Sequence, residues 1–350
     1  MKTIKIGKYI IGKPFQPFII AEAGVNHNGR LDLALKLIDA AAAAGAHAVK
    51  FQTFKAEQVV IPDGKMASYQ KKNTKQNVSQ LKFLKKLELK ESFYKTIIKH
   101  CQKRKIIFLS TPHGGIISAN FLNSLNIPAF KIGSGDLTNL PLLSHISKFK
   151  KPIIISTGMA NLKEVLEAHN TIIKTGNHKI IILHCTSNYP CPEKEVNLNA
   201  MITLMKKMDI PIGFSDHTTT DESSIIAVTL GACMIEKHFT LSRRLPGPDH
   251  VASLEPLELK NFISKIQNIK TILGSFKKEP TTDEIKIARL ARKSLVTSTF
   301  IKKGEKISPA NIEIKRPGTG LPPKYFHQLM GKKAKHNLKA NILIRKNDFI

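Results

Sequence analysis

Eight times along the chain a short apolar run ends in a tight cluster of polar residues. This recurrence narrows the possible folds more than any other feature. The runs lie at 18–24 (FIIAEAG), 48–54 (AVKFQTF), 106–112 (IIFLSTP), 129–135 (AFKIGSG), 152–158 (PIIISTG), 180–186 (IIILHCT), 210–217 (IPIGFSDH) and 234–240 (MIEKHFT). Each is short, rich in β-branched residues and bounded by a loop signal, as expected of a strand buried on both faces. A helical pattern follows each run. Leu31, Leu35 and Ile38 share one face of 30–44, which stops at Gly45; Asn161 opens 161–175 as an N-cap; 255–273 gives the eighth helix. Eight βα units close a TIM (β/α)8 barrel, an α/β fold whose chemistry sits at the C-terminal ends of its strands. Those ends carry Glu22, Lys50, Gln52, Thr111, Lys131, Ser134, Ser156, His184, Ser215, Asp216, His217, Glu236, Lys237 and His238.

With 350 residues, the chain has room for a barrel of about 250 residues and one small extra domain. The barrel is expected over 1–274. A charged, Pro-containing linker follows over 275–292, with a short basic helix near 285–292. From 293 to 350 the runs are short, β-rich and broken by Gly and Pro, and 301–312 weakly echoes 338–350. The long polar stretch 61–80 follows the second strand on the active-site side, where long loops tend to be functional.

A net charge of +29 raises nucleic acid as a partner, but only eight of the 55 basic residues are Arg and no aromatic-interleaved basic stripe appears. Arg is the usual reader of bases and phosphates, so lysines spread over solvated helix faces are the expected cause and no nucleic-acid partner is expected. A positive field of this kind also steers small anions inward. No apolar run reaches the ~20 residues that span a bilayer, and lysines interrupt the N-terminal apolar residues where a signal peptide would need a continuous core. Cys101, Cys185, Cys191 and Cys233 show no paired spacing, which suits free thiols in a reducing cytoplasm. No membrane association is expected.

Three constellations carry chemistry. His217 and His238 end adjacent strands, with Asp216 and Glu236 beside them; two imidazoles in one barrel mouth are a plausible divalent-metal pair. Lys50 and Lys131 end two otherwise apolar strands, where an ammonium is costly unless it meets an anion. With Thr111, Ser134, Ser156 and Ser215 they form an expected phosphate cradle, and a Schiff-base lysine is the rival reading. Glu22 is a candidate general acid/base, a sugar-hydroxyl ligand, or a structural partner for Lys50.

The segments IAEAGVNHNG (20–29), VKFQTFK (49–55), STP (110–112), FKIGSG (130–135), STGM (156–159), HCTSNYPCP (184–192), GFSDHT (213–218), IEKHFT (235–240), PGPDH (246–250) and KRPGTG (315–320) together resemble the sialic acid synthase family. The resemblance implies a TIM barrel followed by a small, mostly-β antifreeze-like (SAF, β-clip) domain. It implies condensation of phosphoenolpyruvate with an N-acetylated mannose-type sugar to give a nine-carbon 2-keto acid and phosphate. N-acetylmannosamine is the first expectation, yielding N-acetylneuraminic acid. The alternative is 2,4-diacetamido-2,4,6-trideoxymannose, the legionaminic precursor. A metal-independent Schiff-base aldolase and a non-enzymatic basic binding protein are more remote.

By the same resemblance, His217 and His238 hold a divalent metal, typically Mn2+, with Mg2+ or Co2+ as alternatives. Lys50, Thr111, Lys131, Ser134, Ser156 and Ser215 contact phosphoenolpyruvate. Glu22, Gln52 and Asp249 are the catalytic candidates. Tyr189, Asp136 and Arg316 are expected at the sugar, with Arg316 offered by the partner subunit of a domain-swapped homodimer. Two positions depart from the family pattern: Asp136 stands where Glu is frequent, and Ser187 where some relatives carry Asn. Tyr69, Gln70, Asn73 and Thr74 in the long loop look like the neuraminic and legionaminic types.

Overall fold

The computed structural model describes residues 2–12, 16–66, 71 and 78–350, and the chain divides into two compact units, Met1–Gly274 and Ser275–Ile350. The loop motif at Tyr69, Gln70, Asn73 and Thr74 lies outside the described residues.

In the first unit a hairpin of β1 (Ile4–Ile6) and β2 (Tyr9–Ile11) turns at Gly7 and Lys8. Eight parallel strands follow: β3 (Phe18–Gly24), β4 (Ala48–Thr53), β5 (Ile107–Pro112), β6 (Phe130–Ile132), β7 (Ile153–Ser156), β8 (Ile180–Cys185), β9 (Ile212–Asp216) and β10 (Met234–His238). They pair in the order β5-β4-β3-β10-β9-β8-β7-β6, with β5 and β6 side by side at the seam. This is the barrel that the eight apolar runs require.

The helices form as their sequences dictate. Leu31–Ala44 buries Ala34, Leu37, Ile38 and Ala41 and ends on Gly45 at φ 88°, a conformation that suits a residue without Cβ. Leu162–Lys174 opens on a capping box of Asn161 and Glu164.

Strand periodicity sorts the side chains into two populations. Ile19, Val49, Phe108, Ile153, Ile182 and Ile235 point outward and pack in the helix layer. Ile20, Ala48, Leu109, Ile154, Ile181 and Met234 point inward and fill the N-terminal half of the barrel, where Ile4, Ile6 and Ile11 of the hairpin join them. The hairpin therefore plugs the bottom. Two residues further along the same strands the inward positions become Glu22, Lys50, Thr111, Ser156 and Glu236, all buried.

In the second unit β11 (Ser294–Thr297) pairs antiparallel with β12 (Ile312–Lys315). Ile301 and Leu338, which begin the two echoing segments, exchange backbone hydrogen bonds at 2.9 Å in both directions. Leu295, Ile301, Ile307, Ile312, Leu338 and Ile344 belong to its core. The stretch read as linker contains the helix Thr282–Ala291, capped by Thr281 and Glu284, and the Gly318 N–H donates to Arg289 O at 2.9 Å. All four cysteines are free and buried. Among the described residues no helix is long and apolar enough to cross a membrane.

Candidate active site

A cavity of about 440 Å³ opens at the C-terminal ends of the barrel strands. Its lining includes Glu22, Lys50, Gln52, Thr111, Lys131, Ser134, Ser156, Tyr189, Ser215, His217, His238 and Asp249. Residues scattered over more than two hundred sequence positions thus converge, because the barrel places all its strand ends at one mouth.

The floor is a buried charge cluster. Lys50 Nζ lies 2.7 Å from Glu22 Oε1 and 3.9 Å from Glu236 Oε2, and donates to Thr111 Oγ1 at 3.2 Å. Lys131 Nζ lies 3.5 Å from Glu236 Oε1 and donates to Ser156 Oγ at 2.6 Å. Ser215 Oγ donates to Glu236 Oε1 at 3.0 Å. Glu236 therefore bridges both lysines, a role that its sequence position beside His238 did not reveal.

The two carboxylates are driven apart. Burial lifts Glu22 to about 7, against the pull of Lys50 and with the repulsion of Glu236. Burial also acts to raise Glu236, but Lys131 and Lys50 together outweigh it and hold that carboxyl at about 2. Burial lowers Lys131 despite the attraction of Glu236, and an arriving anion would act in the opposite direction to that burial. Burial lifts Asp249 to about 6, opposed by His217 and Lys50. Two acids of one cluster with opposite shifts are the pattern by which sites separate proton-carrying from charge-holding roles. Glu22 Oε2 is buried without a hydrogen-bond partner, whereas Glu22 Oε1 is taken by Lys50.

Backbone shape lets these groups meet. Gly24 has φ +53°, and a Cβ there would lie 3.4 to 3.6 Å from Glu22 Oε1, Gln52 Nε2 and Asp249 Oδ2; the three side chains converge on it. Gly158 donates its N–H to Ser134 Oγ at 3.0 Å, an approach that a Cβ would close, since it would stand 2.8 Å from that oxygen.

At the rim the His217 and His238 ring centroids lie 5.4 Å apart, with the Tyr189 ring 4.1 Å from His217 and 5.4 Å from His238. His217 donates Nδ1–H to Thr186 O at 2.7 Å, which leaves Nε2 as the ring nitrogen available to a metal. His238 Nδ1 is buried without a partner. Burial, then the charges of His217 and Lys50, push the His238 pKa well down, so this ring stays neutral. A neutral His238 with a free ring nitrogen suits a divalent metal. At His217 burial acts to lower the pKa, but Cys185 and the Thr186 carbonyl outweigh it and raise it, so a metal would have to displace a proton there. Among the described residues no cluster of three His, Cys, Asp or Glu surrounds such a point, so substrate or water oxygens would have to complete the ligand set.

Some expected residues fall elsewhere. Asp136 does not line the cavity; its carboxylate is engaged by His113 Nδ1 at 3.5 Å and by Asn139 Nδ2 at 3.2 Å, and His113 takes the lining position. Arg316 follows β12 in the second unit and is exposed there. His184, Asp216 and Lys237 alternate outward: His184 Nε2 bonds to Val196 O at 2.7 Å, and Lys237 pairs with Asp216 at 2.8 Å behind the barrel wall. The sequence reading missed the apolar side of the cavity. Phe83, Leu84 and Leu87 line it together with Val25, and Met66 and Phe54 support them. The only cue was an LxFLxxLxL pattern over 81–89, just after the polar loop.

The sequence matches the NeuB family over residues 37–278 and the SAF domain over residues 292–350. The chain belongs to the NeuB family. It is 48% identical over 329 residues to an N,N'-diacetyllegionaminic acid synthase of Campylobacter jejuni, covering 93% of this chain and 98% of that one. It is 43% identical over 333 residues to the Legionella pneumophila protein of the same name, covering 94% and 93%. Among solved structures, the N-acetylneuraminic acid synthetase of Leptospira borgpetersenii in complex with citrate superposes with a TM-score of 0.71 at 35% identity, over 82% of this chain and 95% of that one. This NeuB-family chain is an enzyme of the sialic-acid-synthase type acting on small molecules.

Proposed function

We propose that this enzyme is an N,N'-diacetyllegionaminic acid synthase. It condenses phosphoenolpyruvate with 2,4-diacetamido-2,4,6-trideoxymannose and water, releasing phosphate. The lysine–hydroxyl cradle beside the histidine pair supports the reaction class, and it serves any sugar of this type equally. The choice of sugar rests on one observation: the legionaminic relatives are 48% and 43% identical, against 35% for the N-acetylneuraminic acid synthetase.

In this reading Lys131, Ser156, Ser134 and Ser215 hold one anionic end of phosphoenolpyruvate, and Lys50 with Thr111 the other. Preorganised donors of this kind stabilise charge through the reaction without reorganising. His217 and His238 would hold a divalent metal, Mn2+ first among candidates, and such an ion supplies Lewis acidity to a carbonyl oxygen. The C3 carbon of phosphoenolpyruvate bonds to the aldehyde carbon of the open-chain sugar. The former aldehyde oxygen takes up a proton to become a hydroxyl. Water adds at C2, and the C2–O bond to phosphate breaks as the remaining C2 hydroxyl proton is lost and the ketone forms. Glu22 Oε2, free of partners and poised near neutrality, takes the proton of that water. Asp249, Gln52 and Tyr189 orient the sugar, and Arg316 from the second unit of a partner copy reaches its acyl group, which makes the working species a domain-swapped homodimer.

The test is phosphate release from phosphoenolpyruvate with Mn2+, run in parallel with N-acetylmannosamine and with the diacetamido sugar. A kcat/KM at least about tenfold higher with the diacetamido sugar, the scale of one net hydrogen bond, supports this reading; a preference for N-acetylmannosamine returns the enzyme to the neuraminate type.

A further inference from the structure

The motifs SDHT and EKHF each put a charged residue immediately before a rim histidine. The barrel uses those charges on its opposite face. Asp216 of β9 and Lys237 of β10 are register partners, and strand alternation turns them outward while it turns His217 and His238 into the mouth. Lys237 Nζ donates to Asp216 Oδ2 at 2.8 Å, to Thr218 O at 2.7 Å and to Thr220 O at 2.9 Å. These are three acceptors for three protons, with Thr218 Oγ1 further off at 3.2 Å. Asp216 Oδ1 accepts from Thr218 N and Thr218 Oγ1, both at 2.8 Å, and its Oδ2 also accepts from Ser224 Oγ at 2.6 Å. The pair is essentially sealed, with side-chain exposures of 1% and 0%. Neither residue lines the cavity.

The geometry has a direct consequence for the rim. His217 sits between Asp216 and Thr218, and both neighbours are tied to Lys237, the residue that precedes His238. The two imidazoles are therefore carried on one hydrogen-bonded unit. We propose that Asp216, Lys237 and Thr218 are positioning residues: a clamp behind the wall that sets the separation and aim of His217 and His238 and so the metal affinity of the rim. This inference rests on reading the two histidines as metal ligands. A buried ion pair is weak evidence for stability, and apolar replacement of both partners is frequently neutral, so stability alone does not explain why the charges sit there.

The test titrates the metal-free full chain with Co2+, read by visible absorption, and with Mn2+, read by electron paramagnetic resonance. His217→Ala and His238→Ala are controls: if they bind as the wild type does, the metal reading itself fails. Asp216→Asn combined with Lys237→Met removes both charges together. A folded double variant is expected to bind both ions about 10- to 100-fold more weakly, the usual cost of losing a ligand's outer support. In its metal-free form, the imidazole NMR signals of His217 and His238 are expected to broaden or split. Affinity within about twofold of wild type would overturn the clamp, because that difference is small against the expected loss. If the double variant does not fold, Thr218→Val carries the same test. It removes one hydroxyl shared by both partners, and a loss of about fivefold, the worth of one hydrogen bond, is expected; unchanged affinity there overturns the proposal equally.

Discussion

The two ends of the barrel are built from the same strands and differ by a step of two residues. Ile20, Ala48, Leu109, Ile154 and Met234 make a dry layer sealed by the N-terminal hairpin. Glu22, Lys50, Thr111, Ser156 and Glu236, the next inward residues, make a layer of charges and hydroxyls. The comparison teaches a division of labour. The lower layer gains from apolar burial and close packing. The upper layer gives up that gain and holds four ionisable side chains, Glu22, Lys50, Lys131 and Glu236, within 3.9 Å of an opposite charge. Such a cluster survives burial only because each charge has a partner.

The sharpest way to break this comparison is at the rim. His238→Ala is expected to lower metal-dependent kcat/KM by about a thousandfold, as loss of ~4 kcal/mol of carbonyl activation implies, with little change in thermal midpoint. Assays with added Mn2+ and with chelator measure it, and unchanged turnover would remove the metal role. At the opposite end the signs reverse. Ile181→Ala, in the dry layer, is expected to cost about 2–5 kcal/mol of stability and to leave kcat per folded molecule nearly unchanged; chemical denaturation beside active-site titration separates the two. A large kcat loss would show that the ends are coupled.

A third test asks whether the polar end is completed from outside the barrel. Arg316→Ala is expected to raise the KM for the sugar about tenfold, the scale of one charge-assisted hydrogen bond, while the KM for phosphoenolpyruvate stays put. Equal effects on both would count against the partner arm. The smallest effect concerns pH. Glu22 has its carboxyl lifted from 4.5 to about 7 by burial, so the folded state binds a proton that the unfolded state has released. Stability of the substrate-free enzyme is thus expected to fall as pH rises from 4.5 through 7, the opposite of an ordinary paired carboxylate. Glu22→Gln should flatten that slope in denaturation midpoints measured across the interval; an unchanged slope would place the raised proton elsewhere.

Much of this was legible beforehand. The eight apolar runs, the Gly45 and Asn161 helix ends and the break after 274 needed only local chemistry, and the polar strand ends named most of the cavity lining. The hairpin was also legible: Ile4–Ile6 and Tyr9–Ile11 flank a two-residue Gly7-Lys8 connection, the shortest hairpin signal. Asp136 misled because a polar residue after a strand end is as readily spent on a neighbouring side chain, here His113, as on the cavity.

The sequence by itself determined the barrel, the second unit and the inventory of reactive groups, since strand and helix signals are local. It could not assign faces. A strand buried on both sides has no polar alternation to mark which residues look inward, so Asp216 and His217, or Lys237 and His238, read alike. Tertiary closure decided that the histidines share the mouth while the ion pair backs the wall. It also decided that Glu236 lies between Lys50 and Lys131, residues distant in sequence, and burial of that trio with Glu22 is what drives the two carboxyls in opposite directions.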